Sequence, residues 1–348
     1  MNVDYNKIME VVPELDNFYW RRIQILREVL RHGPIGRKML AEALGMTERP
    51  LRHEIDILKG QGLITVNTSG MSISEQGQVA LAVALKLSRD SKSNRQRERQ
   101  LQQLLMAKDV YIASGDSNAD SETLVEMGVL LTNYLENHLS SDVQIIAITG
   151  GTTMKNIVPH IQGHELQDHH SFTVVSARGG MEEAAEVQAN TIAEQLAVQL
   201  GGRAYMLYSP ETMTVATFES LVGEPIIQRT LRVLAKANVV LFSVGDAKKM
   251  ALRRRLDEEV KVLLREKKAV GEIFGCFFDR EGQIVYRIPR IGLKLEQLKD
   301  IQLPILIAGG SEKAEAVQAF SKMAPKQTVI ITDEGCSLKV LNGETQIK

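Results

Sequence analysis

The chain has 348 residues, of which 44% are apolar and 24% are charged. This composition supplies enough apolar surface for a substantial core and excludes wholesale disorder, and the length predicts about two domains. The formal net charge is −1, from 42 Lys and Arg against 43 Asp and Glu, which excludes a uniformly basic nucleic-acid-binding coat.

Positive charge is concentrated in the N-terminal third of the chain. Residues 1–107 carry 16 basic and 12 acidic side chains, whereas the remaining residues carry 26 and 31. The smaller N-terminal part is therefore where we expect contact with a polyanion such as DNA.

The cysteine content and the absence of long apolar runs indicate where in the cell the protein is expected. Cys276 and Cys336 are the two cysteines, which are too few for a disulfide framework or a four-cysteine zinc site. The first residues lack the basic-then-apolar pattern of a signal peptide, and no apolar run approaches the ~18–20 residues of a membrane span. We therefore expect a cytoplasmic protein without a membrane partner.

The first 75 residues predict a small helical module with a β-hairpin. Apolar residues at helical spacing predict helices over 19–30, 36–43 and 48–61, and alternation predicts a hairpin from 63–66 and 71–74. Three short helices followed by a hairpin are the plan of a winged helix-turn-helix. Any other small α+β module is the alternative.

The third predicted helix carries the candidate DNA-binding residues. Its apolar stripe leaves the basic side chains Arg49, Arg52 and His53 on the solvent side, and Thr47 stands at the N-cap position. In helix-turn-helix proteins this helix enters the major groove. Nine basic against five acidic residues between 19 and 60 is a modest excess, so paired modules are expected on DNA.

The stretch over about 74–108, which is rich in Gln and Arg after Ser88, predicts a long helix with a polar break at 89–94. Its composition is typical of a solvated helix face, and a dimerisation or signal-carrying helix is the alternative. We place the DNA-binding domain at 1–75, a linker helix at 76–108 and a further domain at 109–348.

From about residue 110, strands alternate with amphipathic helices, which predicts an α/β domain with a Rossmann-like, mostly parallel sheet. The predicted strands are Val143–Ile148, Phe172–Val175, Ala204–Tyr208, Val239–Val244, Ile273–Phe278 and Leu303–Ala308. The predicted helices include Ser121–Leu139, Glu182–Leu200 and Glu312–Ala324.

Three of these strands are followed by a glycine pair that leads into a helix, at residues 148–153, 175–180 and 308–313. Ligands of open α/β sheets bind at the carboxyl ends of strands, where glycine lets backbone N–H groups approach an anion. A single pair is usually only a tight turn. Three pairs, accompanied by Thr152, Thr153, Arg178 and Lys313, predict a site for one or two phosphates.

The motifs that are missing narrow the class of ligand. Neither a Walker sequence nor a G-x-G-x-x-G fingerprint after a strand is present, which disfavours nucleoside triphosphates and dinucleotides. A small phosphorylated metabolite fits better. Asp246, Glu272 and Gln188 are candidate partners for sugar hydroxyls, and the two carboxylates would equally serve as general bases in an isomerase or deaminase.

Four histidines lie within eleven positions, namely His160, His164, His169 and His170. The first two have the i, i+4 spacing of helical metal ligands. Pro159 and Gly163 argue against a regular helix there, so we predict no metal site.

Taken together, these motifs resemble those of the SorC/DeoR-type sugar-binding transcriptional regulators. The resemblance covers nearly the whole chain, and within the family it points to the glycolytic operon repressors of Gram-positive bacteria. It rests on the predicted winged helix-turn-helix and on the segments 148–154, 177–180, 244–246, 271–275 and 307–313.

The resemblance implies a tetrameric repressor whose effector is fructose-1,6-bisphosphate, with a sugar domain similar to glucosamine-6-phosphate deaminase and no cofactor. It implies phosphate contacts from Gly151, Thr152, Thr153, Arg178, Gly310 and Lys313. It also implies sugar contacts from Gln188 and Glu272. A second phosphate would draw on the run 253–255, for which a solvated helix face is the expected alternative.

One departure from the deaminases argues against catalysis. They carry Asp-Gly-His after the strand where this chain has residues 245–248, Gly-Asp-Ala-Lys, and no histidine follows His170. We therefore predict an effector-responsive repressor with no catalytic residue. A sugar-phosphate isomerase or deaminase, and a scaffold whose wing binds proteins, are the alternatives, and dimer and tetramer are not separated by the residues themselves.

Overall fold

A computed structural model describes residues 11–12, 14–88, 92–139, 143–163, 166, 171–180, 184–210 and 213–345. The chain divides into two compact units, residues 1–97 and 98–348. In the described part of the chain, no helix is both long and apolar enough to cross a membrane.

The N-terminal unit has the order helix, helix, helix, hairpin, helix. Its elements are α1 Glu14–His32, α2 Arg37–Ala43, α3 Glu48–Gly60, β1 Ile64–Asn67, β2 Gly70–Ile73 and α4 Glu75–Ser88. The hairpin turn is fixed by Asn67, whose Oδ1 accepts hydrogen bonds from the N–H groups of Ser69 and Gly70 at 3.1 Å each. The predicted helices and hairpin are confirmed, with end points that differ by a few residues.

The core of this unit shows why these residues form these helices. Leu51, Ile55 and Leu58 recur at helical spacing on α3, and all three are buried in one apolar cluster with α1 and α2. Glu54 is buried beside them and accepts a 2.8 Å hydrogen bond from Arg22 Nε of α1. Burial of this stripe leaves the opposite face of α3 for solvent.

The C-terminal unit is a parallel sheet with crossover helices and a small antiparallel sheet. Its strands are β3 Asp109–Ala113, β4 Val143–Ile148, β5 Ser171–Ser176, β6 Arg203–Tyr205, β7 Val239–Phe242, β8 Gly245–Asp246, β9 Gly271–Ile273, β10 Cys276–Phe278, β11 Ile284–Arg287, β12 Leu303–Ala308 and β13 Val329–Asp333. The helices from residue 92 onward are α5 Lys92–Leu105, α6 Ser121–His138, α7 Thr152–Ile157, α8 Ala189–Gln199, α9 Val215–Val222, α10 Pro225–Leu234, α11 Ala247–Arg253, α12 Glu258–Glu266, α13 Ala314–Ser321 and α14 Glu334–Thr345.

Seven strands form the large sheet in the order β3-β13-β12-β7-β4-β5-β6, and every neighbouring pair is parallel. The central strand β7 is buried on both faces, because Val239 and Leu241 enter one apolar cluster while Val240 and Phe242 enter the other. Near-continuous apolar strands of this kind are what a sheet covered on both sides requires. The predicted fold class is confirmed.

Four further strands form an antiparallel sheet in the order β11-β10-β9-β8. Here one prediction is wrong: Ile273–Phe278 is two strands, β9 and β10, rather than one. The chain reverses at Phe274 and Gly275, which have φ angles of 48° and 76°. This tight turn leaves Glu272 in β9, paired with Gly245 of β8.

Several other boundaries differ from those predicted. The helix predicted over 182–200 begins as an α-helix at Ala189, after a 3-10 turn at Ala185–Val187, and residues 182–183 lie outside the described residues. Strands β3, β8, β11 and β13 were not predicted. The long helical stretch expected over 74–108 contains α4 and α5, which flank residues 89–91, and those three residues are also outside the described part.

Candidate functional site

A cavity of about 330 Å³ opens at the carboxyl edge of the large sheet. It lies where the strand order reverses, because β4 continues to β5 and β6 on one side while β7 is followed by β12 on the other. Ligands of open parallel sheets bind at such a switch point, where the loops diverge and leave a crevice. Residues 149–153 and 243–246, which follow β4 and β7, line this cavity.

The loop after β4 has glycine at two positions for different reasons. At Gly150 a Cβ would lie 2.5 Å from the carbonyl oxygen of Val187 and 3.0 Å from Nη2 of Arg178, so no side chain fits. Gly151 has a φ of 114°, a conformation that residues with a Cβ rarely adopt. The glycines therefore bring the backbone close to Arg178 and start α7 at Thr152, which lines the cavity.

Arg178 is a buried wall of the cavity, with 7% of its surface exposed. Its backbone bridges to Gly292, and its carbonyl oxygen accepts a 2.7 Å hydrogen bond from Ser176 Oγ. These contacts fix the residue just after β5, with its guanidinium against the Gly150 loop. A guanidinium held in this way is a bidentate donor for phosphate or carboxylate.

Lys313, which follows β12, contacts residues that follow two other strands at the cavity. Its Nζ donates a 2.5 Å hydrogen bond to Thr153 Oγ1, and Ser243 Oγ lies 3.4 Å from the same nitrogen. Burial lowers the pKa of Lys313. The ammonium group thus lies among the loops after β4, β7 and β12, where it and the Thr153 hydroxyl would meet the same anion.

Two predicted contacts lie beside the cavity rather than in its wall. Gly310 has a φ of 91°, and its N–H group donates a 2.6 Å hydrogen bond to Asp333 Oδ2, so this amide is engaged within the protein. Gln188 is the N-cap residue of α8. Among the described residues, neither lines the cavity, whereas the other six predicted effector-binding residues do.

The predicted sugar contact Glu272 is buried in a charged cluster. Its Oε1 accepts hydrogen bonds from Arg254 Nη2 at 3.1 Å and from the N–H group of Gly275 at 2.6 Å. Arg290 also lines this wall, and burial lowers its pKa to about 10. The solvated helix face expected for the run 253–255 is therefore wrong at Arg254, whose side chain is only 4% exposed.

The described lining of the cavity carries an excess of positive charge. Six basic side chains line it, namely Arg178, Lys249, Arg253, Arg254, Arg290 and Lys313, against the three carboxylates Asp246, Glu272 and Glu312. A concave surface with this balance concentrates anions. The cavity thus suits a small ligand that carries more than one negative charge.

Sequence reasoning missed part of this wall. Lys249 and Arg290 were not singled out, because neither lies beside a glycine pair or in a recognisable motif. Lys249 lies in the first turn of α11. Its backbone N–H group donates a 2.8 Å hydrogen bond to Oδ1 of Asp246, the N-cap residue of this helix. A basic residue soon after the Gly245-Asp246 strand end was the one signal available.

The four predicted DNA-binding residues share one exposed surface. Thr47, Arg49, Arg52 and His53 are all exposed at the start of α3, while the buried stripe of this helix faces its own core. Thr47 is the N-cap residue, although its side chain makes no capping hydrogen bond. The N-terminal part of α3 therefore presents polar and basic groups outward, as a recognition helix does.

Of the four clustered histidines, only His160 is described in the structure. Burial lowers its pKa, and a Cβ on Gly128 would lie 2.6 Å from its Cβ atom. His160 therefore packs against α6. His164, His169 and His170 lie outside the described residues, and the described residues contain no group of three or more His, Cys, Asp or Glu placed to hold a metal.

Comparison with known families and proteins assigns both parts of the chain. Residues 89–342 match the family of sugar-binding domains named Sugar-bind, and residues 19–86 match the CggR N-terminal DNA binding domain. The central glycolytic genes regulator of Priestia megaterium is 33% identical over 332 residues, which cover 95% of this chain and 96% of that protein. The chain belongs to the SorC/DeoR-type sugar-binding transcriptional regulators.

Other members of this family agree with the assignment. The central glycolytic genes regulator of Bacillus subtilis is 33% identical over 96% of this chain and 97% of its own. A crystal structure of a SorC family transcriptional regulator from Enterococcus faecalis is 41% identical, covers 71% of this chain and 99% of its own, and superposes with a TM-score of 0.67. Full-length SorC of Klebsiella pneumoniae, at 18% identity and a TM-score of 0.64, shares the fold over 93% of this chain and 98% of its own.

Membership of this family decides between a transcriptional regulator and an enzyme, which the residues alone had left open. These relatives are transcriptional regulators, so the chain is a regulator and not an enzyme. The isomerase or deaminase reading of Asp246 and Glu272 is therefore set aside. In the structure Asp246 caps α11 and Glu272 forms an ion pair with Arg254, so both carboxylates stabilise the fold.

Proposed function

We propose that this regulator represses a central glycolytic operon, and that a phosphorylated sugar relieves repression by binding in the cavity. Fructose-1,6-bisphosphate is the candidate effector. The proposal rests on one observation. Arg178, Thr153 and Lys313 line the same cavity, and the charged side chains in its wall are mostly basic. A sugar bisphosphate is small enough for this volume and carries charge at both ends.

The arrangement of donors suggests how the two phosphates are divided. One phosphate is placed against the hydroxyls of Thr152 and Thr153 and the ammonium group of Lys313, because these groups converge after β4 and β12. The second phosphate is placed toward Arg253 and Arg254 at the end of α11, on the same cavity wall. Arg178 completes the cradle. In this arrangement Glu272 stays paired with Arg254 in the cavity wall, and Gln188 lies beside the cavity rather than in its wall.

The names of two relatives support the proposal that this regulator controls glycolytic genes. Two proteins that match nearly the whole chain are central glycolytic genes regulators. The winged module binds operator DNA through Thr47, Arg49, Arg52 and His53, and we propose a cytoplasmic dimer of dimers on two-fold related half-sites. Half-sites on DNA repeat with the symmetry of the protein that reads them.

Relief of repression follows if the effector prefers one arrangement of the protomers. A ligand shifts an equilibrium only by its difference in affinity for the two states, and linkage requires that the operator affinity falls by the same factor. A coupling of ~1–3 kcal/mol, which is roughly 5–150-fold in affinity, is sufficient.

Thermal unfolding across a panel of phosphosugars tests the ligand class. A ligand that binds the folded state adds RT ln(1 + [L]/Kd), which is about 2.7 kcal/mol at 100 times Kd. We expect fructose-1,6-bisphosphate to raise Tm more than fructose-6-phosphate, and glucose to have no effect. An equal shift with inorganic phosphate alone, or none with any phosphosugar, would contradict the proposal.

Gly150→Ala is expected to weaken effector binding by roughly 5–150-fold. The added Cβ overlaps the backbone at Val187 and presses on Arg178, and overpacking of this kind costs ~1–3 kcal/mol. Titration calorimetry with fructose-1,6-bisphosphate measures the loss. Gly343→Ala is the matched control, because a Cβ there meets nothing within 4 Å and this glycine of α14 does not line the cavity, so its affinity should stay at the wild-type value.

Arg49→Ala and Arg52→Ala are each expected to weaken operator binding and to lessen its dependence on salt. Each phosphate contact that is lost lowers the slope of log K against log salt by about 0.9, whereas a lost base contact costs ~1–3 kcal/mol and relaxes specificity. Fluorescence anisotropy at several salt concentrations distinguishes the two. Arg203→Ala, which removes an exposed arginine from β6, should leave both slope and affinity unchanged.

A further inference from the structure

Glu312 is a carboxylate in the cavity wall whose contacts leave it within reach of a ligand. Three carboxylates line this cavity in the described part of the chain. Asp246 accepts the capping hydrogen bond of α11, and Glu272 forms a buried ion pair with Arg254. The side chain of Glu312, in contrast, is 31% exposed. Its carboxylate is therefore the one of the three that the fold does not enclose.

The carboxylate of Glu312 is held over the turn at Gly310. Its Oε2 accepts a hydrogen bond from Asn118 Nδ2, and its Oε1 lies 3.7 Å from Lys249 Nζ. A Cβ on Gly310 would lie 2.6 Å from Oε2 of Glu312, so glycine leaves room for this oxygen. The carboxylate thus has a defined position between the loop after β3 and the helix α11.

This position lies between the two phosphate positions of the proposed function. Lys313, which belongs to the first position, is the next residue along the chain. Lys249 belongs to α11, whose last turn carries Arg253 at the second position. The ion pair with Lys249 therefore spans from the loop after β12 to the helix that holds the other phosphate. A sugar with a phosphate at each end would place its carbon chain beside Glu312.

A negative charge at this place opposes the binding of phosphate. Like charges repel, and the repulsion is stronger in a cavity that is partly closed to water than in bulk solvent. A carboxylate also accepts hydrogen bonds from hydroxyl groups, and bonds to an ionised acceptor are about twice as strong as neutral ones. A ligand with hydroxyl groups between its phosphates therefore offsets the repulsion, whereas a bisphosphate without hydroxyl groups does not.

We propose that Glu312 selects a sugar bisphosphate over other bisphosphates by accepting hydrogen bonds from the sugar hydroxyl groups. This assignment rests on the proposed function, because that function places the sugar between the two phosphate positions. Glu272 is less suited to this role, since its Oε1 already accepts hydrogen bonds from Arg254 and from the N–H group of Gly275. A site that bonds to hydroxyl groups rejects a ligand that lacks them, because its own polar group is then left without a partner.

Calorimetry with two ligands tests the assignment. Fructose-1,6-bisphosphate is compared with hexane-1,6-diol bisphosphate, which carries two phosphates on a six-carbon chain without hydroxyl groups. Glu312→Ala should lower the ratio of the two affinities at least about tenfold, because the hydrogen bonds to a charged acceptor are lost. The variant should bind the hydroxyl-free ligand at least as tightly as wild type, since a repelling charge is removed. Glu312→Gln keeps an acceptor oxygen without the charge and should give an intermediate ratio.

Glu315→Gln is the matched control for the loss of one negative charge nearby. Glu315 lies on α13, forms an ion pair with the exposed Arg280 and does not line the cavity, so both affinities should stay at the wild-type values. If both affinities of Glu312→Ala change by the same factor, or if wild type binds the two ligands equally, the assignment is overturned and the proposed function stands. If wild type binds neither ligand, the proposed function fails and this assignment fails with it.

Discussion

Arg178→Ala is expected to abolish the response to phosphosugar while operator binding without effector is retained. Arg178 is buried in the cavity wall, and its guanidinium lies against the Gly150 loop. A hydrogen bond to a charged group contributes roughly 1.5–3 kcal/mol, so the loss of a bidentate contact lowers affinity by at least about 100-fold. The DNA-binding residues are in the other unit and are unchanged by the substitution.

Two measurements on the same preparation establish this result. Calorimetry reports the effector affinity, and anisotropy on operator DNA reports dissociation as fructose-1,6-bisphosphate is added. Arg178→Lys keeps the charge but loses the planar pair of donors, so it should recover only part of the affinity. A variant Arg178→Ala that still leaves the operator at the wild-type effector concentration would show that the cavity is not the effector site.

The position of the cavity could be predicted from strand ends alone. The glycine pairs after β4 and β12 stand within two residues of buried apolar runs whose ends, Ile148 and Ala308, agree with the structure. Since the carboxyl ends of parallel strands share one edge, residues far apart in sequence such as Thr153 and Lys313 were expected to meet there. Their 2.5 Å contact agrees with that expectation.

The hairpin that carries Glu272 could not be predicted from the same pattern. Ile273–Phe278 is a continuous apolar run, which is typical of one buried strand. Its turn has positive φ at both Phe274 and Gly275, a conformation usually signalled by Asn-Gly. Phe274 is accepted there because its ring packs on Phe242, at 5.3 Å between centroids, and that contact depends on the tertiary fold.

The basic wall of the cavity was only partly visible in the sequence for a related reason. A run of three arginines at 253–255 is typical of a solvated helix face, and Arg255 is indeed exposed. Arg254 is buried because β9 brings the carboxylate of Glu272 to 3.1 Å from it. No local pattern predicts which arginine of a run meets a carboxylate eighteen residues later.

The ion pair between Glu272 and Arg254 leads to the second prediction. Glu272→Ala is expected to lower the free energy of unfolding by about 3–5 kcal/mol in the absence of ligand. The side chains of Glu272 and Arg254 are 5% and 4% exposed, so the substitution leaves a buried guanidinium without its carboxylate. The N–H group of Gly275 also loses its 2.6 Å acceptor. At about 2–4 °C per kcal/mol for a unit of this size, the fall in Tm is roughly 6–20 °C.

Ligand dependence separates this electrostatic cause from a simple loss of packing. A phosphate placed beside Arg254 supplies the negative charge that the variant lacks, so fructose-1,6-bisphosphate should raise the Tm of Glu272→Ala by more degrees than that of wild type. Glu258→Ala is the control, because its ion pair with Lys261 is at the surface and such pairs contribute ~0–1 kcal/mol. If Glu272→Ala loses no more stability than Glu258→Ala, the buried pair does not stabilise the hairpin. If its stabilisation by ligand is no larger than in wild type, the second phosphate does not approach Arg254.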